Sequence, residues 1–247
     1  PSGNVGVHIF HIDPIENKDD MVWYVGLQDI MSIGKLFLNG KADFTKIITM
    51  GGSSLQKRQY YQMTRGSIIS DILEDNLIDN DSRIISGDVL SGSRTNIDNA
   101  LGFYHDILTV IPESSHREFL GWIKPGIDKY SLTRTFMSTL KSKTEKRLTT
   151  LKNGSVRTMI PMGHLEKVTP INILTTPLIK AILSRDIDTM EKLGIYECAP
   201  EDFALCEFAC TSKIPVQTIV RKGLSRAYLT LAIPFPLIHC GKWTAIF

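Results

Sequence analysis

The spacing of apolar residues changes several times along the chain, and each change marks an expected element. Val5, Val7 and Ile9 alternate with their neighbours at period two, which predicts a strand, and residues 22–25 predict another. Leu27, Ile30, Met31, Ile33, Gly34 and Phe37 then recur at helical spacing until Asn39-Gly40, a pair suited to ending a helix. Residues 46–50 form a third apolar extended run, closed by Gly51-Gly52. This is α/β material with few strands. A complete doubly wound sheet needs more, and the further strands are expected before Pro1.

Residues 46–111 read as a small separate unit. Strands are expected at 46–50, 59–63, 83–86 and 107–111. Ser67 is a good N-cap, and Ile68, Ile69, Ile72, Leu73 and Leu77 trace one helix face after it. A hairpin, a helix and further strands in so short a stretch suggest a small α+β module of β-grasp type.

Residues 158–224 read as short helices. Thr176-Pro177 is expected to start a helix over 178–183, and Asp186 to cap one over 187–193, with Gly194 just past its end. Pro200, followed by Glu201 and Asp202, opens another, whose Phe203, Leu205, Cys206, Phe208 and Cys210 leave it apolar over much of its surface.

Composition narrows the function classes. Apolar residues make up 43% of the 247 and charged residues 22%, with a formal net charge of +2. Disorder and collagen are excluded, and near neutrality argues against a dedicated nucleic-acid binder. The small net charge hides one imbalance. Arg134, Lys141, Lys143, Lys146, Arg147, Lys152 and Arg157 face only Glu145, a local excess of +6 in a stretch of weak apolar periodicity. Such a segment is a solvated linker, an arm that meets another polypeptide or an anionic membrane face, or a nucleic-acid contact. Its lack of stacking aromatics disfavours the last. The chain begins at Pro1 rather than Met, and its first residues hold no basic and apolar signal-peptide pattern, so it is expected to be a fragment or a processed product. The most apolar run, 227–238, is too short to span a bilayer and is broken by Pro234 and Pro236.

Candidate chemistry is sparse. Four cysteines are too few for a disulfide scaffold, and a reducing compartment fits them. Cys206 and Cys210 share a helix face with Cys198 upstream, but lack the C-x-x-C pair and fourth ligand of a zinc or iron–sulfur site, so buried core thiols are expected. His8 and His11 on a strand would point to opposite faces. The string at 51–54, GGSS, is read as a turn rather than a phosphate cradle, because no P-loop lysine follows. Neither a G-x-G-x-x-G, a nucleophile elbow nor an H-E-x-x-H occurs.

Four strings carry a resemblance: VWYVGLQDIMSIGKLFLNGKADFTKIITMGG at 22–52, RIISGDVLSG at 83–92, FLGWIKPGIDKYSLTRTF at 119–136 and EDFALCEFACTSK at 201–213. Together they resemble the A subunit of the sodium-translocating NADH:quinone reductase, over nearly all of 1–224 and in that family's order, as the C-terminal part of the subunit. The resemblance implies an α+β multidomain fold: the C-terminal part of a Rossmann-like α/β domain at 1–45, a β-grasp domain of the soluble-ligand-binding type at 46–112, a linker and basic arm at 113–157, and a C-terminal helical domain at 158–224. Residues 225–247 form an atypical apolar tail where the family usually ends in a short charged helix.

The function implied is that of a complex. It takes electrons from NADH through flavins and iron–sulfur centres of other subunits to ubiquinone, and so drives sodium export. This subunit is expected to carry no flavin, cluster, metal or catalytic residue of its own and to lie peripherally on the cytoplasmic face of the bacterial inner membrane. Its expected partners are the other subunits of the sodium-pumping NADH:quinone reductase, especially the membrane-embedded B subunit, with ubiquinone a candidate ligand and nucleic acid excluded. Candidate contact residues for the partner or membrane are Trp122, Lys124, Lys129, Tyr130 and Arg134. The alternatives are a related electron-transport subunit with its own cofactor and a non-redox β-grasp ligand-binding module.

Overall fold

The structure is a computed structural model, which describes residues 2–73, 75–79, 81–114, 118–121, 123–127, 129–130, 135–140 and 148–229. The chain divides into two compact units, one of residues 42–153 and the other of 1–41 together with 154–247.

The unit of 42–153 is built on a mixed five-stranded sheet. Its strands are β1 (Thr45–Gly51), β2 (Gln59–Thr64), β3 (Ser82–Ser86), β4 (Ser93–Thr95) and β5 (Ile107–Pro112), in the order β2-β1-β5-β3-β4. β1 and β2 form an antiparallel pair with Ile48 opposite Tyr61, β1 runs parallel to β5, and β3 is antiparallel to both β4 and β5. Period-two burial along β1 points Ile48 and Met50 into a core with Met63, Ile69, Leu73, Leu108 and Val110, as an alternating strand with one covered face requires. β5 is buried at Leu108, Thr109 and Val110 in succession because it is the central strand.

All four strands expected in this unit form, but the helix expected after Ser67 shrinks to one turn, α3 (Ser70–Leu73). Asn76 explains the early end. Its side chain donates to the carbonyl of Lys57 at 2.9 Å and accepts that residue's amide at 2.8 Å, so it serves as a strand-like partner for 57 rather than as a helical residue.

The other unit is helical. It contains α1 (Val5–Ile12), α2 (Leu27–Asn39), α4 (Thr175–Ser184), α5 (Ile187–Lys192), α6 (Ala204–Ala209) and α7 (Val216–Leu229), with 3-10 turns at Ile195–Glu197 and Pro200–Phe203. Val7 of α1 joins a core of Leu178, Ile179, Ile182, Met190, Ile195, Phe203, Cys206, Val216 and Val220. Three of the helix ends read from the sequence are present: Asp186 accepts the Thr189 amide at 3.1 Å, Gly194 lies at φ 79°, and Gly40 ends α2 at φ 66°. α4 instead starts at Thr175, ahead of the Thr176-Pro177 pair expected to open it, and α3 starts at Ser70 rather than directly after Ser67. α7 runs past 224 to Leu229 with Ala227 buried, so the first five residues of the expected tail are helical.

The strands expected at 5–9 and 22–25 are not formed. Val5, Val7 and Ile9 lie in α1, because in this unit no described strand offers them a ladder. A helix satisfies its own backbone and brings Val7 and Phe10, three apart, onto the helical core. His8 and His11 therefore share a helix rather than a strand, both exposed, with His11 edge-on to Phe10 at 5.2 Å. Of the α/β content expected at 1–45, the described residues before β1 supply two helices.

Candidate functional site

The residues singled out for a partner or membrane contact fall in an excursion that leaves the end of β5 and returns near 150. A polar clamp closes its base. Arg83 binds Glu113 through two hydrogen bonds, at 2.8 and 2.7 Å. Thr150 donates to Glu113 Oε1 at 2.6 Å and accepts the Ser114 amide at 3.1 Å. The Arg83 guanidinium and the Thr150 hydroxyl hold the Glu113 carboxyl below the usual range.

Further out, Glu118 gathers two of the candidate lysines. Lys124 Nζ lies 2.6 Å from its Oε1, and Lys129 pairs with Oε2. These bonds, that of Lys124 first, hold the Glu118 carboxyl down to about 2. Lys129 also donates to the carbonyl of Gly121 at 2.6 Å and lies over the Phe136 ring at 5.7 Å. The Met137 amide donates to the Pro125 carbonyl at 2.9 Å, and Ser138 donates to the carbonyl of Lys129. Gly126 is a glycine of necessity here: its φ is 61°, and a Cβ would stand 2.6 Å from the Phe136 ring.

Lys124 and Lys129 are engaged by a carboxylate within the excursion, and beside this exposed ion-pair cluster several apolar side chains face outward: Phe119 is 84% exposed, Ile123 63% and Leu140 81%, with Tyr130 nearly half exposed. Trp122 and Arg134 lie outside the described residues, as do Lys141, Lys143, Lys146 and Arg147 of the basic arm. Two of its cations, Lys152 and Arg157, are described, both exposed. The apolar fringe had a signal in the sequence. Phe119, Leu120, Ile123 and Ile127 stand at helical spacing, but Pro125-Gly126 interrupts any helix there, which leaves them no continuous face on which to be buried.

Cys198, Cys206 and Cys210 are free and buried in the helical core. Burial pushes the Cys198 thiol well up, and that of Cys206 up as well despite the Thr169 hydroxyl 3.2 Å away. Among the described residues, no group of three or more His, Cys, Asp or Glu is placed to hold a metal ion. Gly51-Gly52 carries β1 into a turn, where the Ser54 amide donates to the Val110 carbonyl at 3.3 Å. Among the described residues no helix is long and apolar enough to cross a membrane.

Comparison with known proteins says what these units resemble. A family model described as NqrA second alpha/beta domain matches residues 1–42, and one described as NQRA C-terminal domain matches residues 47–96. The chain is 38% identical over 228 residues to the A subunit of the Na(+)-translocating NADH-quinone reductase of Rhodopirellula baltica, which covers 91% of this chain and 50% of that protein. The corresponding A subunit of Tolumonas auensis is 36% identical over 230 residues, 93% of this chain and 51% of its own. That of Neisseria meningitidis serogroup A is 37% identical over 225 residues, 91% and 50%. The chain spans about half the length of these curated relatives. With 91–93% of its residues aligned to them and two domain models matched in succession, the chain is a homologue of the A subunits of Na(+)-translocating NADH-quinone reductases.

Proposed function

We propose that the chain serves as part of a peripheral A subunit of a sodium-pumping NADH:ubiquinone reductase, on the cytoplasmic face of the bacterial inner membrane, where it supports electron transfer to quinone coupled to sodium export. The observation that carries this reading is the similarity to named A subunits over 91–93% of the chain. The absence of a membrane-crossing helix among the described residues agrees with a peripheral place. In this reading NADH, flavins, iron–sulfur centres, ubiquinone and sodium are used by the complex, and this chain contributes no redox centre. The 42–153 unit is read as a β-grasp domain. In support, its first and last strands are parallel neighbours in the order β2-β1-β5-β3-β4. Residues 1–41 are read as the end of a Rossmann-like domain.

The excursion at 118–140 is the part that meets the membrane subunits, the B subunit foremost. Lys124 and Lys129 share the single carboxylate of Glu118 while Phe119, Ile123 and Leu140 stand in solvent, which suits an apolar interface with a polar rim. The test is co-expression of the tagged A subunit with the membrane subunits. Phe119→Ser with Ile123→Ser is expected to lower co-purification at least ten-fold, and Lys124→Gln to change it less than three-fold. Retention of the complex by the Phe119/Ile123 variant would contradict this placement.

A further inference from the structure

Residues with soft donor atoms line one cavity of the helical unit. Residues 159–164 read Met-Ile-Pro-Met-Gly-His, and Gly163 takes a left-handed conformation, φ 67°, that turns this loop back on itself. Met159, Met162 and His164 from the loop, and Cys210 from the C-terminal cap of α6, line one cavity of about 20 Å³, with Thr176 and Ser212 beside them. That volume holds a single ion or water. Both walls are anchored. Ser212 donates to the carbonyl of Thr158 at 3.0 Å and its own carbonyl accepts the Arg157 amide at 2.8 Å, which ties the start of the loop to the residues after Cys210. On the other side, Glu166 accepts the amide of the cavity residue Thr176 at 3.0 Å through Oε1. Its Oε2 is buried and has no hydrogen-bond partner among the described residues.

A thiol, an imidazole and two thioethers do not suit the metals of oxygen-rich or multi-cysteine sites, and no cluster of three or more His, Cys, Asp or Glu exists among the described residues. Thioether and thiolate sulfur are soft donors and select soft cations, Cu(I) above all. The orphaned Glu166 oxygen adds negative charge near the cavity wall. We propose that Met159, Met162, His164 and Cys210 form a binding site for a soft monovalent metal cation of the Cu(I) class. On binding, the Cys210 thiol forms an S–metal bond and releases its proton to solvent; one proton leaves per ion and no electron moves.

Plain core packing accounts for Cys210, which is buried, and for Met159, which packs on the core. It does not account for Met162, which lines the cavity yet is 48% exposed and so contributes little to folding. That difference supplies the test. The chain carrying Cys240→Ser is titrated anaerobically with Ag(I), a redox-inert probe of the same class, in competition with a thioether chelator. Ultraviolet thiolate-to-metal absorption is followed, and the thermal unfolding midpoint is recorded without metal. One Ag(I) per chain is expected, with the band lost in Cys210→Ser. The double variant Met162→Leu/His164→Ala is expected to bind at least ten-fold more weakly with an unchanged midpoint. A band that survives in Cys210→Ser, a change in the double variant smaller than ten-fold, or no binding by the parent chain would each overturn the site.

Discussion

Gly52 leaves β1 at φ 124° and passes so close to β5 that a Cβ would overlap the carbonyl oxygen of Val110. The obstacle is backbone and has no rotamer to change. Gly52→Ala is expected to destabilise the 42–153 unit by about 3 kcal/mol, while Gly51→Ala, with open space around it, stays within about 1 kcal/mol; denaturant unfolding of the two variants makes the comparison. The sequence marked this place as a turn, yet nothing in the string at 51–54 distinguishes the glycine that must stay from the one that need not. Asp202 is a second residue whose role only packing reveals. Its carboxyl is buried against Gly6 of α1, where a Cβ would overlap Oδ2, and its Oδ1 has no hydrogen-bond partner among the described residues. Burial pushes it up to about 6, against the pull of Asn4 and the Ala199 amide, with the Glu201 charge adding to the rise. A carboxyl raised in the folded state binds a proton that the unfolded chain has already lost. Its contribution is therefore present below the unfolded value and declines as pH rises through about 6. The helical unit is expected to gain about 1 kcal/mol from this group between about pH 7.5 and pH 5, and Asp202→Asn to flatten the difference, as read by urea unfolding at the two pH values.

At the scale of elements, legibility followed whether a segment's local signals agreed with its surroundings. α5 was readable because Asp186 and Gly194 bracket it with their own chemistry, and β1 because it is an apolar extended run closed by Gly51-Gly52. α1 was not readable. Its β-branched residues alternate as in a strand, and only the helical core it meets decides otherwise. The excursion after β5 was readable as irregular, while the clamp that closes it was not, since Arg83, Glu113 and Thr150 are distant in sequence. The clamp makes a local prediction. Thr150→Val removes the acceptor of the Ser114 amide, and hydrogen exchange at that amide is expected to quicken about ten-fold. Global stability is expected to fall by no more than about 1 kcal/mol, because the groups are partly exposed.

For the whole molecule, the chemistry that the sequence suggested and the chemistry that the fold presents differ in one respect. Charge was the conspicuous feature of the 113–157 region, but its described outer part sets exposed Phe119, Ile123 and Leu140 beside lysines already paired with Glu118. Pairings made across six and eleven residues of irregular chain leave no periodic trace, so the lysines looked available. The resemblance to a reductase subunit was legible in long strings, and similarity over most of the chain agrees with it. The chain is read above all as a working part of a sodium-pumping complex. That reading meets its most direct test in native separation of detergent-solubilised membranes from cells carrying a tagged form of the gene product that contains this chain, with sodium-stimulated NADH:quinone reductase activity assayed in each fraction. The tag is expected to migrate with that activity. A tagged protein found entirely in fractions without it would contradict a role in the complex.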